Sequence, residues 1–270
     1  MPDPDSGPGL DPDLAELTGR WLRQYRPAPE AAVTLVAFPH AGGSASYFQP
    51  LSGALGPRTE VLCLQYPGRQ DRRHEPCLDT VEAFVDAICA VLRPRTERPL
   101  VFFGHSMGAV LAYETARRLE AERAVDLLGL IVSGRRSPTT TRHETVHLRD
   151  DAGILAEIQQ LNGTDSTLLD DEDIRQMILP CLRADYRAVE THVHRDGPPL
   201  RCPVTVLTGD ADPQVTRQEA ERWAEVTSGG FRLQAFPGGH FFLGSQQGPV
   251  TRALTDSLTD FRTGSAGRAR

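Results

Sequence analysis

The hydrophobic residues of the chain follow two alternating patterns. Short continuous apolar runs predict buried strands, whereas apolar residues spaced three and four apart predict amphipathic helices. The predicted strands are 33–38, 61–66, 99–103, 127–133, 203–208 and 231–236, and the last of these alternates apolar and polar residues. The helical patterns are 13–23, 46–55, 80–92, 109–119 and 249–261. This alternation predicts an α/β protein, with a mostly parallel sheet covered by helices on both faces.

The alternation stops between Arg135 and Pro199, where helical patterns continue without a strand. An insertion at this point of the fold would lie over the carboxyl ends of the strands, where ligands bind in open α/β sheets. The predicted organisation has a disordered tail at 1–12, a core formed by 13–135 and 200–264, and a helical lid at 136–199.

Two helices are predicted within this lid. Asp150 or Asp151 can cap the first, which would run through Gln160, and Asp170 can cap the second. The lid is expected to be a mobile cap whose apolar positions face either the core or the substrate. Those positions are Ile154, Leu155, Ile158, Met177, Ile178 and Leu182.

Composition restricts the classes of partner. The chain has 270 residues and a net charge of −7, which argues against nucleic acid. Its five cysteines are odd in number and lack metal-binding spacing, so free thiols in a reducing cytoplasm are expected. No secretory signal is visible, and no apolar run approaches the length of a membrane span. The sequence therefore predicts a cytoplasmic protein without a nucleic-acid or membrane partner.

The candidate nucleophile lies in the segment Gly104-His105-Ser106-Met107-Gly108, between an apolar run and a helical pattern. A strand, a G-x-S-x-G segment and a helix in this order are typical of a nucleophile elbow. The glycines permit the sharp turn, and the Met107 N–H would lie at a helix N-terminus that favours an oxyanion. The alternative is a glycine-rich turn without chemistry.

A serine nucleophile needs a base, and the base needs an orienting carboxylate. In a fold of this kind the chain order is serine, acid, histidine. His240, in a glycine-rich turn after the last apolar run, is the predicted base, and its alternative is a structural loop histidine. His105 is the rival base, although it is expected to pack beneath Ser106.

Two aspartates after the run 203–208 can supply the acid. Asp212 is favoured over Asp210 because a residue before proline is held extended, which restricts the direction of its carboxylate. Asp210 is expected to brace the turn by accepting backbone N–H bonds.

The second oxyanion donor is expected in the loop His40-Ala41-Gly42-Gly43, after the first apolar run. The Ala41 N–H is the candidate and the Gly42 N–H is the alternative. A tight strand-to-helix turn without chemistry is the remaining interpretation.

Five motifs together resemble the type II thioesterases, the discrete editing enzymes of polyketide and nonribosomal peptide assembly lines. They are Phe38-Pro39-His40-Ala41-Gly42-Gly43-Ser44, Tyr66-Pro67-Gly68-Arg69, Gly104-His105-Ser106-Met107-Gly108, Gly209-Asp210-Ala211-Asp212-Pro213 and Gly239-His240-Phe241-Phe242. The resemblance covers residues 20–262 and implies an α/β-hydrolase fold. The spacing of Asp212 from Gly209 also matches the acid-bearing loop of that family.

The resemblance further implies hydrolysis of stalled or aberrant acyl groups from the phosphopantetheine thiol of an acyl or peptidyl carrier protein. It implies no metal and no organic cofactor. Two other functions stay open from the residues alone: a general carboxylesterase of the same fold, and a catalytically silent module that binds carrier proteins.

Four further segments carry chemically suggestive residues. The H-E-x-x-H segment 143–147 is interpreted as a polar hinge rather than a zinc helix, since poor helix formers precede it. His192 and His194 are expected in a solvated exit from the lid. The acidic segment 170–173 is expected to begin a helix. The arginines 69, 72 and 73 are either a solvated cluster or a contact for an acidic carrier protein or a phosphate.

Overall fold

The sheet has seven strands. The computed structural model describes residues 12–161 and 171–268. The strands are β1 (Leu22–Arg23), β2 (Val33–Phe38), β3 (Thr59–Leu64), β4 (Leu100–His105), β5 (Leu127–Ser133), β6 (Val204–Gly209) and β7 (Phe231–Phe236). Their order is β1-β3-β2-β4-β5-β6-β7, and every neighbouring pair except β1–β3 is parallel. The predicted mostly parallel sheet is confirmed.

The helices of the described residues are α1 (Pro12–Trp21), α2 (Gln49–Ala54), α3 (Val81–Leu92), α4 (Met107–Glu122), α5 (Asp151–Gln160), α6 (Glu172–Thr191), α7 (Arg217–Glu221), α8 (Phe242–Ser245) and α9 (Gln247–Arg268). The sequence predicted a helix at each of these places except the short α7 and α8.

Several element boundaries differ from the sequence prediction, including β3, which was expected at 61–66 and lies at Thr59–Leu64. Leu22 and Arg23, expected at the end of a helix, instead pair antiparallel with β3. The helix expected at 46–55 divides into a 3₁₀ turn, Ala45–Phe48, followed by α2. The cap of α6 is Asp171, whose Oδ1 accepts the N–H of Asp173 at 2.9 Å. Asp170 and the predicted tail residues 1–11 lie outside the described residues.

Two hydrophobic layers enclose the sheet, because successive strand side chains point to opposite faces. On one face, Val36 and Phe38 of β2 pack with α3 and α4. On the other, Leu35 and Ala37 pack with α9, including Leu254. All six β2 residues are buried, as expected for a strand covered on both sides.

The segment predicted as a lid contains α5, α6 and the 3₁₀ turn Val146–Leu148, and its described residues contain no strand. A separate small cluster stabilises it, formed by Val146, Ile154, Ile158, Leu179 and Leu182. The expectation for Met177 is wrong, since its side chain is 54% exposed and faces neither core nor cavity.

All five cysteines are free thiols, as predicted. Within the described ranges, no helix combines the length and the hydrophobicity needed to cross a membrane.

Candidate active site

The predicted site residues lie together at the carboxyl ends of the parallel strands. Ser106 directly follows β4, Asp212 follows β6, and His240 follows β7. These strands run in the same direction, and β4 connects to β6 through β5. Parallel strands end at one edge of the sheet, so three segments distant in sequence meet there.

Ser106 occupies a strained turn between β4 and α4. Its backbone has φ 54° and ψ −116°, a conformation that costs a non-glycine residue on the order of 1–3 kcal/mol. The flanking glycines allow backbone segments to approach one another closely. A Cβ on Gly104 would overlap the backbone of Gly108, and a Cβ on Gly108 would overlap the Phe38 carbonyl. Met107 is the first residue of α4, so its N–H lies among the unpaired donors of a helix N-terminus.

His240 bonds to the carboxylate of Asp212. The His240 Nδ1 lies 2.9 Å from Oδ2 and 3.1 Å from Oδ1 of Asp212. The side chains are 3% and 0% exposed, and the Gln214 N–H donates to Asp212 Oδ1 at 2.8 Å. Because the carboxylate engages Nδ1, the Nε2 of His240 is the ring nitrogen left for a reacting group.

Asp210 has a different partner. Its side chain is exposed, and its Oδ1 accepts the N–H of Gly238 at 3.0 Å. Asp210 thus ties the loop after β6 to the loop that carries His240, the bracing contact expected from the sequence.

Two other histidines lie near His240 in surroundings that favour the neutral ring. The Nδ1 of His105 lies 3.1 Å from the Ser133 hydroxyl, and burial holds the pKa of His105 well below its ordinary value. Burial lowers the pKa of His40 to about 3. Neither ring has a carboxylate among its hydrogen-bond partners in the described part of the chain, which separates both from His240.

The loop after β2 distinguishes the two candidate oxyanion donors. The N–H of Gly42 donates to Asp185 Oδ2 at 2.7 Å, so it already has a partner. Ala41, by contrast, lines the same cavity as Ser106 and Met107.

A cavity of about 310 Å³ brings together most of the predicted site residues. Ser106, Met107, Ala41 and His240 line it, while Asp212 lies behind His240. A larger open groove of about 580 Å³ along α3 and α4 contains none of these residues.

The predicted lid also lines the cavity, through Leu161, Tyr186 and Val189 and through charged residues that include Arg142, Glu144, Glu157 and Glu190. None of the six apolar lid positions named from the sequence does so. Ile154 and Ile158 of α5 and Leu182 of α6 instead pack against one another in the small hydrophobic cluster of the predicted lid.

The histidine-containing segments 143–147 and 192–194 form ion pairs and loops rather than metal sites. Residues 143–145 form a loop in which Glu144 pairs with Arg136, so the H-E-x-x-H segment forms no zinc helix. His192 and His194 face Glu114 with side chains only 12% and 14% exposed, so the expected solvated exit is wrong for both. No group of three or more metal-binding side chains occurs in the described residues.

The arginine cluster is likewise not solvated as a whole. Arg69 pairs with Asp185 and Arg72 pairs with Glu75, both guanidinium groups being buried, and Arg73 alone of the three is exposed.

Sequence reasoning missed Asp185 altogether. The available signal was a charged residue on the apolar face of α6, between Leu182 and Val189.

Comparisons with known proteins agree with this geometry. The thioesterase domain family matches residues 33–258. A probable cadicidin biosynthesis thioesterase of Streptomyces griseus is 53% identical over 90% of this chain and 67% of its own length. Thioesterase PikA5 of Streptomyces venezuelae is 48% identical over 89% of this chain and 86% of its own length.

Solved structures give the same result. The type II thioesterase BorB from the borrelidin biosynthetic cluster superposes with a TM-score of 0.82 at 46% identity, covering 88% of this chain and 97% of BorB. The RedJ thioesterase from the prodiginine pathway of Streptomyces coelicolor superposes with a TM-score of 0.80 at 36% identity, covering 86% and 95%. The chain therefore belongs to the thioesterase domain family and is a hydrolase of the α/β-hydrolase fold.

Proposed function

We propose that this enzyme is a type II thioesterase that hydrolyses acyl groups from the phosphopantetheine thiol of acyl or peptidyl carrier proteins. The observation that carries the proposal is one cavity containing both the strained Ser106 turn and the Asp212-bonded His240. The similarity to thioesterases of antibiotic biosynthesis supports the substrate class. Removal of stalled or aberrant acyl units is the role we assign to it.

The first half of the proposed reaction acylates Ser106. The His240 Nε2 accepts the hydroxyl proton as the serine oxygen attacks the thioester carbon. Asp212 stabilises the imidazolium that forms, and the N–H groups of Met107 and Ala41 donate to the developing oxyanion. The C–S bond then breaks, and the pantetheine sulfur leaves as a thiol with the proton from His240.

The second half restores the free enzyme. His240 takes a proton from water as the water oxygen attacks the acyl-serine carbonyl. The same two N–H groups stabilise the second oxyanion, and the proton on His240 returns to the Ser106 oxygen as the carboxylic acid departs. Both steps use protein groups and water.

The proposed division of the chain gives each part a role. The core, 13–135 and 200–264, holds the triad, and the lid, 136–199, closes the acyl chamber. Leu161, Tyr186 and Val189 support this division because they bring lid side chains into the cavity of Ser106. A volume of about 310 Å³ is within the range of ligand sites, about 300–1,000 Å³.

The test compares an acyl group on a purified carrier protein with the same acyl group on an oxygen ester. We expect preference for the carrier thioester and loss of turnover in Ser106→Ala by roughly a million-fold, as in a related triad. Preference for the oxygen ester would indicate a carboxylesterase. Carrier binding without turnover of either substrate would indicate a silent binding module.

A further inference from the structure

Asp185 is a buried carboxylate that the proposed reaction does not use. It lies on α6, and its side chain is 0% exposed. Its Oδ2 accepts two donors, the Gly42 N–H at 2.7 Å and the Arg69 guanidinium. One carboxylate oxygen thereby connects the predicted lid, the loop after β2 and the loop after β3.

Arg69 neutralises this carboxylate within the protein. Its side chain is 4% exposed, its guanidinium lies 5.2 Å from the centre of the Tyr66 ring, and it also donates to the Pro67 carbonyl at 2.8 Å. Burial of an unpaired charge is costly, so the ion pair is what allows a carboxylate at this position.

Helix α6 makes a second contact with the same loop. Gly42 has φ 73°, and the side chain of Leu182 occupies the space that a Cβ on Gly42 would fill. Asp185 and Leu182 are three residues apart and lie on one face of α6. The peptide unit between Ala41 and Gly42 is thus held through its N–H and packed against α6.

We propose that Asp185 is a positioning residue for the oxyanion hole. By holding the Gly42 N–H, it fixes the Ala41–Gly42 peptide unit. That unit shares the Ala41 Cα with the preceding His40–Ala41 unit, so it limits the rotation that would turn the Ala41 N–H away from the reacting oxygen. The inference rests on the proposed function, since it requires an oxyanion at Ser106. Its physical reason is that oxyanion donors contribute only when they are preorganised.

The proposal also changes the view of the lid. The C-terminal half of α6 is bonded through Asp185 to the Gly42 N–H, in the loop after β2, and to Arg69. A movement of this half of α6 would therefore displace the loop that carries the Ala41 N–H. We therefore expect this half of α6 to remain in place during turnover.

The test uses two double variants that remove both buried charges. Arg69→Leu/Asp185→Leu removes the acceptor for the Gly42 N–H, whereas Arg69→Leu/Asp185→Asn retains an amide oxygen that can accept it. Apolar replacement of both partners of a buried ion pair is often tolerated, so both proteins are expected to fold. Circular dichroism and thermal melting establish that they do.

We expect kcat of the Leu/Leu variant to fall roughly a hundredfold below that of the Leu/Asn variant, with KM changed less than about threefold. Affinity for an alkyl boronic acid, which forms a tetrahedral anion on serine, should fall in parallel.

Equal kcat values in the two folded double variants would overturn the proposal. If Ser106→Ala is inactive and the two double variants have equal kcat values, this inference alone fails. If Ser106→Ala retains turnover, the proposed function itself fails.

Discussion

Replacement of Asp212 by asparagine should abolish most turnover without unfolding the protein. The carboxylate contacts His240 Nδ1 through both oxygens, at 2.9 and 3.1 Å. In Asp212→Asn one of these oxygens becomes an NH₂ group, which cannot accept a hydrogen bond from Nδ1–H and favours the wrong ring tautomer.

The expected loss of kcat is taken from the same change in another catalytic triad. The equivalent change in a serine-protease triad costs about ten-thousand-fold in kcat. At about 1.36 kcal/mol per tenfold, this corresponds to about 5 kcal/mol of lost transition-state stabilisation. The side chains are nearly isosteric and the Gln214 N–H can still bond to the amide oxygen, so the melting temperature should change little.

Asp210→Asn is the matched control. Asp210 is exposed and accepts one backbone N–H, from Gly238, which an amide oxygen also accepts. We expect its kcat to stay within about tenfold of wild type and its stability to fall by less than about 1 kcal/mol. Steady-state kinetics on both variants with one acyl-carrier substrate supply the comparison. An inactive Asp210→Asn beside a nearly wild-type Asp212→Asn would refute the assignment.

Three further predictions concern the chamber, the thiols and acid stability. Val189→Ala should shift the preference among acyl-carrier substrates toward longer chains, because Val189 lines the cavity, and substitution of the exposed methionine of α6 should not. Cys77 should be alkylated fastest of the five cysteines, since the other four are buried and the Sγ–Sγ contact with Cys181 lowers the pKa of Cys77. Peptide mass spectrometry after iodoacetamide treatment measures this, and faster labelling of any other cysteine would contradict it. The hydrogen bond from Arg72 lowers the pKa of Glu75 to about 2, so its stabilisation should be complete above about pH 4.5 and be lost as pH falls toward 2. Acid titration of Glu75→Gln should show a smaller loss over this range, and an unchanged profile would refute the contribution.

Patterns within short stretches of sequence were enough to predict most strands and the turn that carries Ser106. The apolar runs predicted β2, β4, β5 and β6 because strands buried on both faces are continuous hydrophobic segments. The edge strand β7 is largely exposed, and its signal was the alternation of apolar and polar residues. The strand–turn–helix context located Ser106, since only a glycine-flanked turn permits its backbone conformation. The two-residue β1 was missed because its only signal is its antiparallel pairing with β3.

Contacts between distant segments were not predictable in the same way. Asp185 lies 116 residues from Arg69 in the chain, and no local pattern pairs them. The apolar lid positions were also ambiguous, since packing within the lid and packing against substrate require the same residue types. Only the folded arrangement separates Ile154, in the lid's own cluster, from Val189, in the cavity.

Rapid-quench mass spectrometry tests the central claim most directly. Wild-type enzyme and Ser106→Ala are mixed with an acyl carrier protein, quenched within milliseconds, digested and analysed for peptides that carry the acyl mass. The proposed mechanism predicts an acyl group on Ser106 of the wild type that forms before the free acid, and none in the variant. Acylation of a different residue, or release of free acid by Ser106→Ala at the wild-type rate, would contradict it.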